Sequence, residues 1–347
     1  MKLKLPQFIL VIFALQIVAG CNHQQNIQDW TEQASKAMED ENYERAAKCY
    51  SEAIKLDSKF APAYAARGDV FVILGQFDKA IEDLNEAILL NPTNYAAHVL
   101  RGAAYFGKQQ FDKAISDYNV ALENELDDKN ALKTLRGEAY KMRGQSYYWT
   151  ASFTNAIADL TEALKYRPDD YEIYEVRGDC YDRRTDADKS LSDFSHAILL
   201  NPEDARAFYG RGTIYSHTGS YTNAILDFEI YIKLKPKSPG AYNMLGWMLA
   251  TCPDDKIRDG KRAVELATKA CDLSKWEKYA YMDTLAAAYA EIGDYENAVK
   301  YQKQAISLEG VPESNRTNVQ NRVELYLEHK PYRETNIRYH LTGNSVP

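Results

Sequence analysis

Cysteine, glycine, proline and surplus positive charge are all scarce in this chain. Its 347 residues include five cysteines, 17 glycines and 11 prolines, and Asp plus Glu outnumber Lys plus Arg by 50 to 42. Four cysteines besides Cys21 are too few to staple a chain of this length into a disulfide framework. A formal charge of −8 with no basic cluster excludes a nucleic-acid binder, whose phosphate contacts demand Lys and Arg. The apolar run at the head, Phe8 to Ala19, falls short of the ~20 residues a membrane-spanning helix needs. The histidines (His23, His98, His196, His217, His329, His340) are scattered, and no cysteine pair has metal-ligand spacing. GxSxG, Walker and GxGxxG loops are missing as well, so no metal, cofactor, small-molecule substrate or catalytic set is expected. The stretch DRRTDADKSLSD (182–193) lacks the central Gly and closing Glu of a calcium loop and reads as a hairpin turn. What the chain has in quantity is tyrosine, 26 residues of it, a supply of large packing groups that argues against disorder.

The first 20 residues have the layout of a secretory signal: Lys2 and Lys4, then the apolar run, then small residues. Val18-Ala19-Gly20-Cys21 resembles the bacterial lipobox. That resemblance implies a signal peptide over 1–20, cleavage before Cys21, and lipid on the Cys21 thiol and amine, followed by a lipidated linker over 21–26. Loss of the two lysines moves the formal charge from −8 to −10. Asn22 in place of Asp favours the outer over the inner membrane by the same resemblance. The expected location is the cell envelope, lipid-anchored and facing the periplasm.

Three stretches repeat one another: YAARGDVFVILGQFDKAIEDLNEAILLNP (64–92), HVLRGAAYFGKQQFDKAISDYNVALENEL (98–126) and FYGRGTIYSHTGSYTNAILDFEIYIKLKP (208–236). The period is 34 residues, with Gly68, Gly102 and Gly212 at one place, Ala80, Ala114 and Ala224 at another, and aromatics between. Apolar spacing within a unit is helical, and a Gly or polar pair in the middle makes a turn, so each unit is a helix hairpin that buries its face only by stacking on its neighbours. These residues resemble the tetratricopeptide repeat (TPR). The resemblance implies an all-α, right-handed α-solenoid of about eight hairpins over 27–310. The units start at Ile27, Ala61, Tyr95, Gly137, Tyr171, Ala205, Pro239 and Tyr279. Residues 129–136 read as a lengthening of the fourth unit's first helix by about two turns. The seventh unit has a long turn in ATCPDDKIRDGKRA, with Pro253 ending its first helix. That unit, the eighth and KPYRE (330–334) resemble the closing module of TPR proteins from planctomycete-type bacteria. A capping helix is expected over 311–330, amphipathic through Val319, Val323 and Leu327, and a loose tail over 331–347.

Charge follows the repeat. Arg67, Arg101, Arg143, Arg177 and Arg211 stand seventh in units two to six, and Asp83, Asp117, Asp159, Asp193 and Asp227 stand twenty-third. Units one, seven and eight have neither, so the two types come and go together. Both places lie at one height in an antiparallel hairpin, which predicts an Arg–Asp ladder. Cys252 and Cys271 flank the long turn of unit seven, where two buried thiols or a disulfide are both open.

In a TPR array the concave face is carried by the second, fifth, ninth and twelfth places of each first helix. Here those places hold Glu172, Glu175, Asp179 and Asp182 in unit five, Lys141 and Tyr148 in unit four beside Trp149, and Tyr209 in unit six; Trp247 is a further candidate. The face expected is acidic and flanked by aromatics, suited to a basic segment of a partner protein or peptide. The alternative is that these acids only keep the array soluble. The reading is a membrane-tethered, non-enzymatic protein-interaction scaffold. Alternatives are an assembly factor for an envelope machine, such as a pilus or an outer-membrane insertion complex, and an envelope hydrolase or its regulatory subunit.

Overall fold

The computed structural model describes residues 22–123, 130–308 and 311–334. The signal segment and Cys21 lie outside the described residues. Among those described, every regular element is an α-helix. The chain divides into two compact units, at Arg184 and Thr185. Unit 1 holds the hairpins α1 (Asn22–Glu39) with α2 (Tyr43–Leu56), α3 (Ala61–Ile73) with α4 (Phe77–Leu90), α5 (Tyr95–Gly107) with α6 (Phe111–Leu122), and α7 (Asn130–Trp149) with α8 (Phe153–Tyr166), then α9 (Tyr171–Arg183). Unit 2 opens with α10 (Ala187–Leu200), followed by α11 (Ala205–His217) with α12 (Tyr221–Leu234), α13 (Pro239–Thr251) with α14 (Gly260–Leu273), α15 (Tyr279–Glu291) with α16 (Tyr295–Ser307), and α17 (Glu313–Leu327). Within each unit successive helices pack on one another, and first helices also touch the next first helix, as α3 does α5 and α13 does α15. Each unit is thus an α-solenoid.

The hairpin turn is a backbone device. At the fifteenth place of seven repeats the chain turns through positive φ: Glu41, Gly75, Gln109, Ala151, Thr185, Gly219 and Gly293, with φ between 54° and 81°. The next N–H then reaches back to close the first helix, as Ser152 does to the Tyr147 carbonyl at 2.8 Å. Only three of these positions are glycine, which alone carries no Cβ penalty there. Starts are capped locally: Asn42 accepts from the Arg45 N–H and Asn94 from the Ala97 N–H, both at 3.2 Å.

Small residues at fixed places let the two helices close. A Cβ on Gly102 would stand 2.8 Å from the Tyr118 ring, and one on Gly68 2.7 Å from Leu84. Ala80, Ala114, Ala156 and Ala224, one per hairpin, are wholly buried. The core is consequently a set of clusters along each unit rather than a single centre.

Three sequence expectations change. Residues 22–26, read as a linker, are the start of α1, because the helical pattern runs back to Asn22. The capping helix buries Val319, Arg322 and Tyr326, while Leu327 is exposed; the inward stripe runs through i, i+3 and i+7 from Val319, and Leu327 lies off it. Residues 331–334, read as loose, are docked on unit 2 by the contacts below. Residues 335–347 fall outside the described residues. α7 spans 20 residues where the other first helices from α3 onward span 13, the extra turns lying ahead of Gly137.

Candidate functional site

The arginine ladder is built as a set of bidentate forks. Arg67 donates from Nε and Nη2 to Asp83 at 2.6 and 2.7 Å, Arg101 to Asp117 at 2.9 and 2.6 Å, Arg143 to Asp159 at 2.7 and 2.8 Å, and Arg211 to Asp227 at 2.8 Å twice. The fifth pair has one member in each unit, Arg177 on α9 and Asp193 on α10. The aspartates are buried and the arginines half-buried, a setting in which the charge-assisted fork is strong. The Asp83 hydrogen bond, against the opposing pull of burial, raises Arg67 above its ordinary value.

The remaining guanidinium nitrogen has a second use that the sequence reading missed. Arg67 Nη1 donates to Ser51 at 2.9 Å, Arg101 Nη1 to Asn85 at 2.7 Å, Arg143 Nη1 to Asn119 at 2.7 Å, Arg177 Nη1 to Thr161 at 3.0 Å and Arg211 Nη1 to Ser195 at 3.3 Å. Every acceptor is the twenty-fifth residue of the preceding repeat, so each arginine pins one hairpin to the next. The guanidinium groups of Arg67, Arg143, Arg177 and Arg211 also lie over aromatic rings three residues before and four after them, as Arg143 does over Tyr140 at 5.6 Å and Tyr147 at 6.0 Å. The signal was present in the chain: the twenty-fifth place is Ser, Asn or Thr wherever the next repeat has its Arg. It is Glu229 ahead of unit seven, which lacks one, and there Arg262 takes the partner role at 2.5 Å.

The expected acidic face is rearranged. Glu175 is buried, 2% exposed, so the four acids of α9 are not one open strip. Glu172 is exposed but engaged by Lys141 at 2.6 Å, and Lys141 also reaches Asp170 at 3.0 Å. Lys141 is itself buried; burial acts to lower its basicity, and Asp170 and Glu172 outweigh that and raise it. Glu138 beside it pairs with Arg167, yet burial pushes its carboxyl above the ordinary range. The reason is the same for both corrections: neighbouring first helices approach closely at these places, so groups counted as groove-lining become inter-helix contacts. Asp179 and Asp182 remain half-buried. Tyr148 is half-buried and Trp149 exposed at 56%, its indole stacked on Phe111 with centroids 6.0 Å apart. In unit 2, Tyr209 is half-buried against Tyr231 at 5.3 Å, and Trp247, expected to be open, is buried.

What buries Trp247 is the chain's own C-terminal segment. Arg322 of α17 makes a fork with Asp283 of α15 at 2.9 and 2.7 Å, the pair being 3% and 2% exposed. Gln302 donates to the same carboxylate at 2.6 Å. The Arg322 guanidinium lies over both the Trp247 ring, 5.5 Å away, and the Tyr332 ring, 5.1 Å away. Beyond α17 the chain runs back as an extended strap: Tyr332 meets Trp247 at 5.8 Å, Arg333 pairs with Glu291 at 2.6 Å, and the Glu334 N–H donates to the Thr251 carbonyl at 2.9 Å. Trp247 is the ninth residue of its repeat and Asp283 the fifth, both at places assigned to the concave face. The strap therefore lies against first helices of the seventh and eighth repeats, at Trp247 and at the helix ends Thr251 and Glu291.

Cys252 and Cys271 are free, buried thiols, and burial pushes Cys271 up to about 12. No group of three His, Cys, Asp or Glu among the described residues is arranged to hold a metal ion.

Hairpins of this geometry, repeated with a left-handed turn residue and a small-residue seam, define a class of helical repeat proteins. Family models place the chain within it: tetratricopeptide-repeat models match residues 31–88, 141–195 and 182–239, with further TPR matches at 68–109 and 279–311. The chain belongs to the tetratricopeptide-repeat family. Among solved structures it is similar to Pseudomonas aeruginosa pilF, with 14% identity and a TM-score of 0.55 over 63% of this chain and 96% of that one. A tetratricopeptide repeat protein from Parabacteroides merdae shares 15% identity, with a TM-score of 0.49 over 87% of this chain and 99% of that one. YrrB, described as a TPR protein with an unusual peptide-binding site, shares 21% identity, with a TM-score of 0.47 over 55% of this chain and 94% of that one. Identities this low speak to the fold alone. Comparison with curated protein sequences found no match.

Proposed function

We propose that this protein is a non-enzymatic scaffold, tethered to a bacterial envelope membrane by lipid on Cys21, which holds an extended segment of a partner protein against its first helices. The observation that supports it best is the strap. Residues 332–334 lie on α13 and α15 through an aromatic contact, an ion pair and a main-chain hydrogen bond, the three kinds of contact a peptide guest uses. That docking supports the reading that first helices of this chain hold extended polypeptide. Asp179 and Asp182 on α9 make a basic guest segment the better complement there, with Trp149 as a nearby aromatic. Glu175 has no part in it, since it is buried.

The test is capture of partners from detergent-solubilised membranes by the wild type and by Asp179→Lys with Asp182→Lys, read by mass spectrometry. A partner lost on double reversal, and recovered less well by the wild type as salt rises, is the expected result. Salt-independent capture by the reversed variant would reject the acidic face.

A further inference from the structure

The long turn of the seventh repeat builds a second surface, which adjoins the end of the strap at Glu291. In the other hairpins the two helices are joined by about three residues; here Cys252 to Asp259 intervene between α13 and α14. Arg258 anchors this loop, donating to the Cys252 carbonyl at 2.8 Å and to Glu291 at 2.9 Å. The loop stands off the side of α12 and leaves an open groove of about 750 Å³. Ile225 and Leu226 of α12, Leu249 of α13, Ile257 of the loop and Ile292 at the end of α15 form its apolar lining. At one end Gly260 allows α14 to begin directly against α15, since a Cβ there would stand 2.7 Å from Ile292.

Two features distinguish this groove from ordinary surface. Leu226 is 53% exposed and Ile292 44%, so two of the few large apolar side chains left in water face the same hollow. Its rim is cationic on a chain whose net charge is −8. Arg258 and Arg262 are each matched, by Glu291 and Glu229, whereas Lys256 and Lys261 are exposed and make no ion pair among the described residues. Asp259, which also lines the groove, is spent as the cap of α14, accepting from the Arg262 N–H at 3.0 Å.

We propose that this groove docks an acidic segment of a partner protein carrying apolar anchors: Leu- or Ile-sized side chains fill the hollow over Leu226 and Ile292, and flanking carboxylates meet Lys256 and Lys261. The site is lined by other residues than the acidic places of α9 and takes the opposite charge, so one scaffold holds two chemically different segments.

The experiment is fluorescence anisotropy of the detergent-solubilised full chain with a labelled peptide of Leu and Glu, against controls in which Lys replaces Glu or Ala replaces Leu. The acidic apolar peptide alone should bind, more weakly as salt rises. Lys256→Glu with Lys261→Glu, and separately Leu226→Glu, should each weaken it about tenfold or more. All three positions are exposed, so the melting temperature should hold, and the Asp179→Lys, Asp182→Lys chain should bind the peptide as the wild type does. Binding unchanged in these groove variants, or absent up to about 1 mM peptide, would overturn the proposal. So would a wild type that takes up phosphatidylglycerol vesicles through Lys256 and Lys261 but not the peptide, which would make the patch a lipid surface.

Discussion

Arg143 shows how much one side chain can carry in a repeat array. Its fork to Asp159 ties the two helices of a hairpin, and its third nitrogen ties that hairpin to Asn119 of the one before. Removing one member of a largely buried pair leaves the other charge unmatched, at about 3 to 5 kcal/mol. Arg143→Leu should therefore lower stability strongly in urea titration, and Arg143→Leu with Asp159→Leu should cost less than the two singles summed; additive losses would argue against the ladder. Asp69 is the opposite case, a buried carboxyl with no hydrogen bond among the described residues, which burial raises from 3.8 to about 7. Between about pH 4 and 7 the folded chain keeps a proton that the unfolded chain has released, so stability falls as pH rises through that window and levels off above it. The full cost at alkaline pH is on the order of 4 kcal/mol. Asp69→Asn should be more stable than wild type at about pH 8 and should lose the pH slope; equal slopes in the two proteins would show that Asp69 is ionised throughout.

The hairpin is the element through which residues act. In the third repeat the seam has no room for an extra atom at the eighth place: Gly102→Ala would put a methyl 2.8 Å from Tyr118, a side chain with no room to withdraw. The expected loss is about 1 to 3 kcal/mol, from overpacking, measured by thermal or urea melting; a neutral result would mean the seam can open. At the other end of the chain, α17 and its strap close the array with chemistry the other repeats do not use. Units seven and eight lack the ladder, and Asp283 instead receives its guanidinium from Arg322, on a helix beyond the repeats. Truncation after Lys330 should uncover Trp247, shifting its emission to the red and lowering the midpoint of unit 2, while Tyr332→Phe, which keeps the ring on Arg322, should do neither. An unshifted spectrum after truncation would remove the strap from Trp247. Cysteine adds nothing to this closure: Cys252 and Cys271 are free and buried, and alkylation should reach them only on unfolding.

The whole molecule combines an acidic repeat array with a head whose sequence points to lipid. A mature bacterial lipoprotein carries ~three acyl chains, enough for stable anchoring where one chain is marginal. Cys21→Ser should abolish incorporation of labelled palmitate and leave the precursor uncleaved, with the folded array unchanged; equal labelling of the variant would end the lipid proposal.

Most of the fold was legible in the chain because a repeat writes the same local requirements many times. The helical spacing, the small residues of the seam and the Arg–Asp pairs all recur, and recurrence separates them from chance. The twenty-fifth-place acceptors were written there too, but as three residue types of similar chemistry, so they stood out only once Arg67 and Arg101 were seen reaching them. The face that meets a partner was another matter. Places two, five, nine and twelve name a direction on a helix, not an exposure, and the close approach of first helices decided that Glu175 and Lys141 are buried while Trp149 is open. Nor did any local pattern announce that Arg322 would cross to Asp283, or that Tyr332 and Glu334 would return to Trp247 and Thr251. Those contacts join residues of the last two repeats to partners tens of positions away that belong to no repeat, and the packed end of the array is what selects them: a buried carboxylate on α15 needs a cation, and an indole on α13 needs a cover.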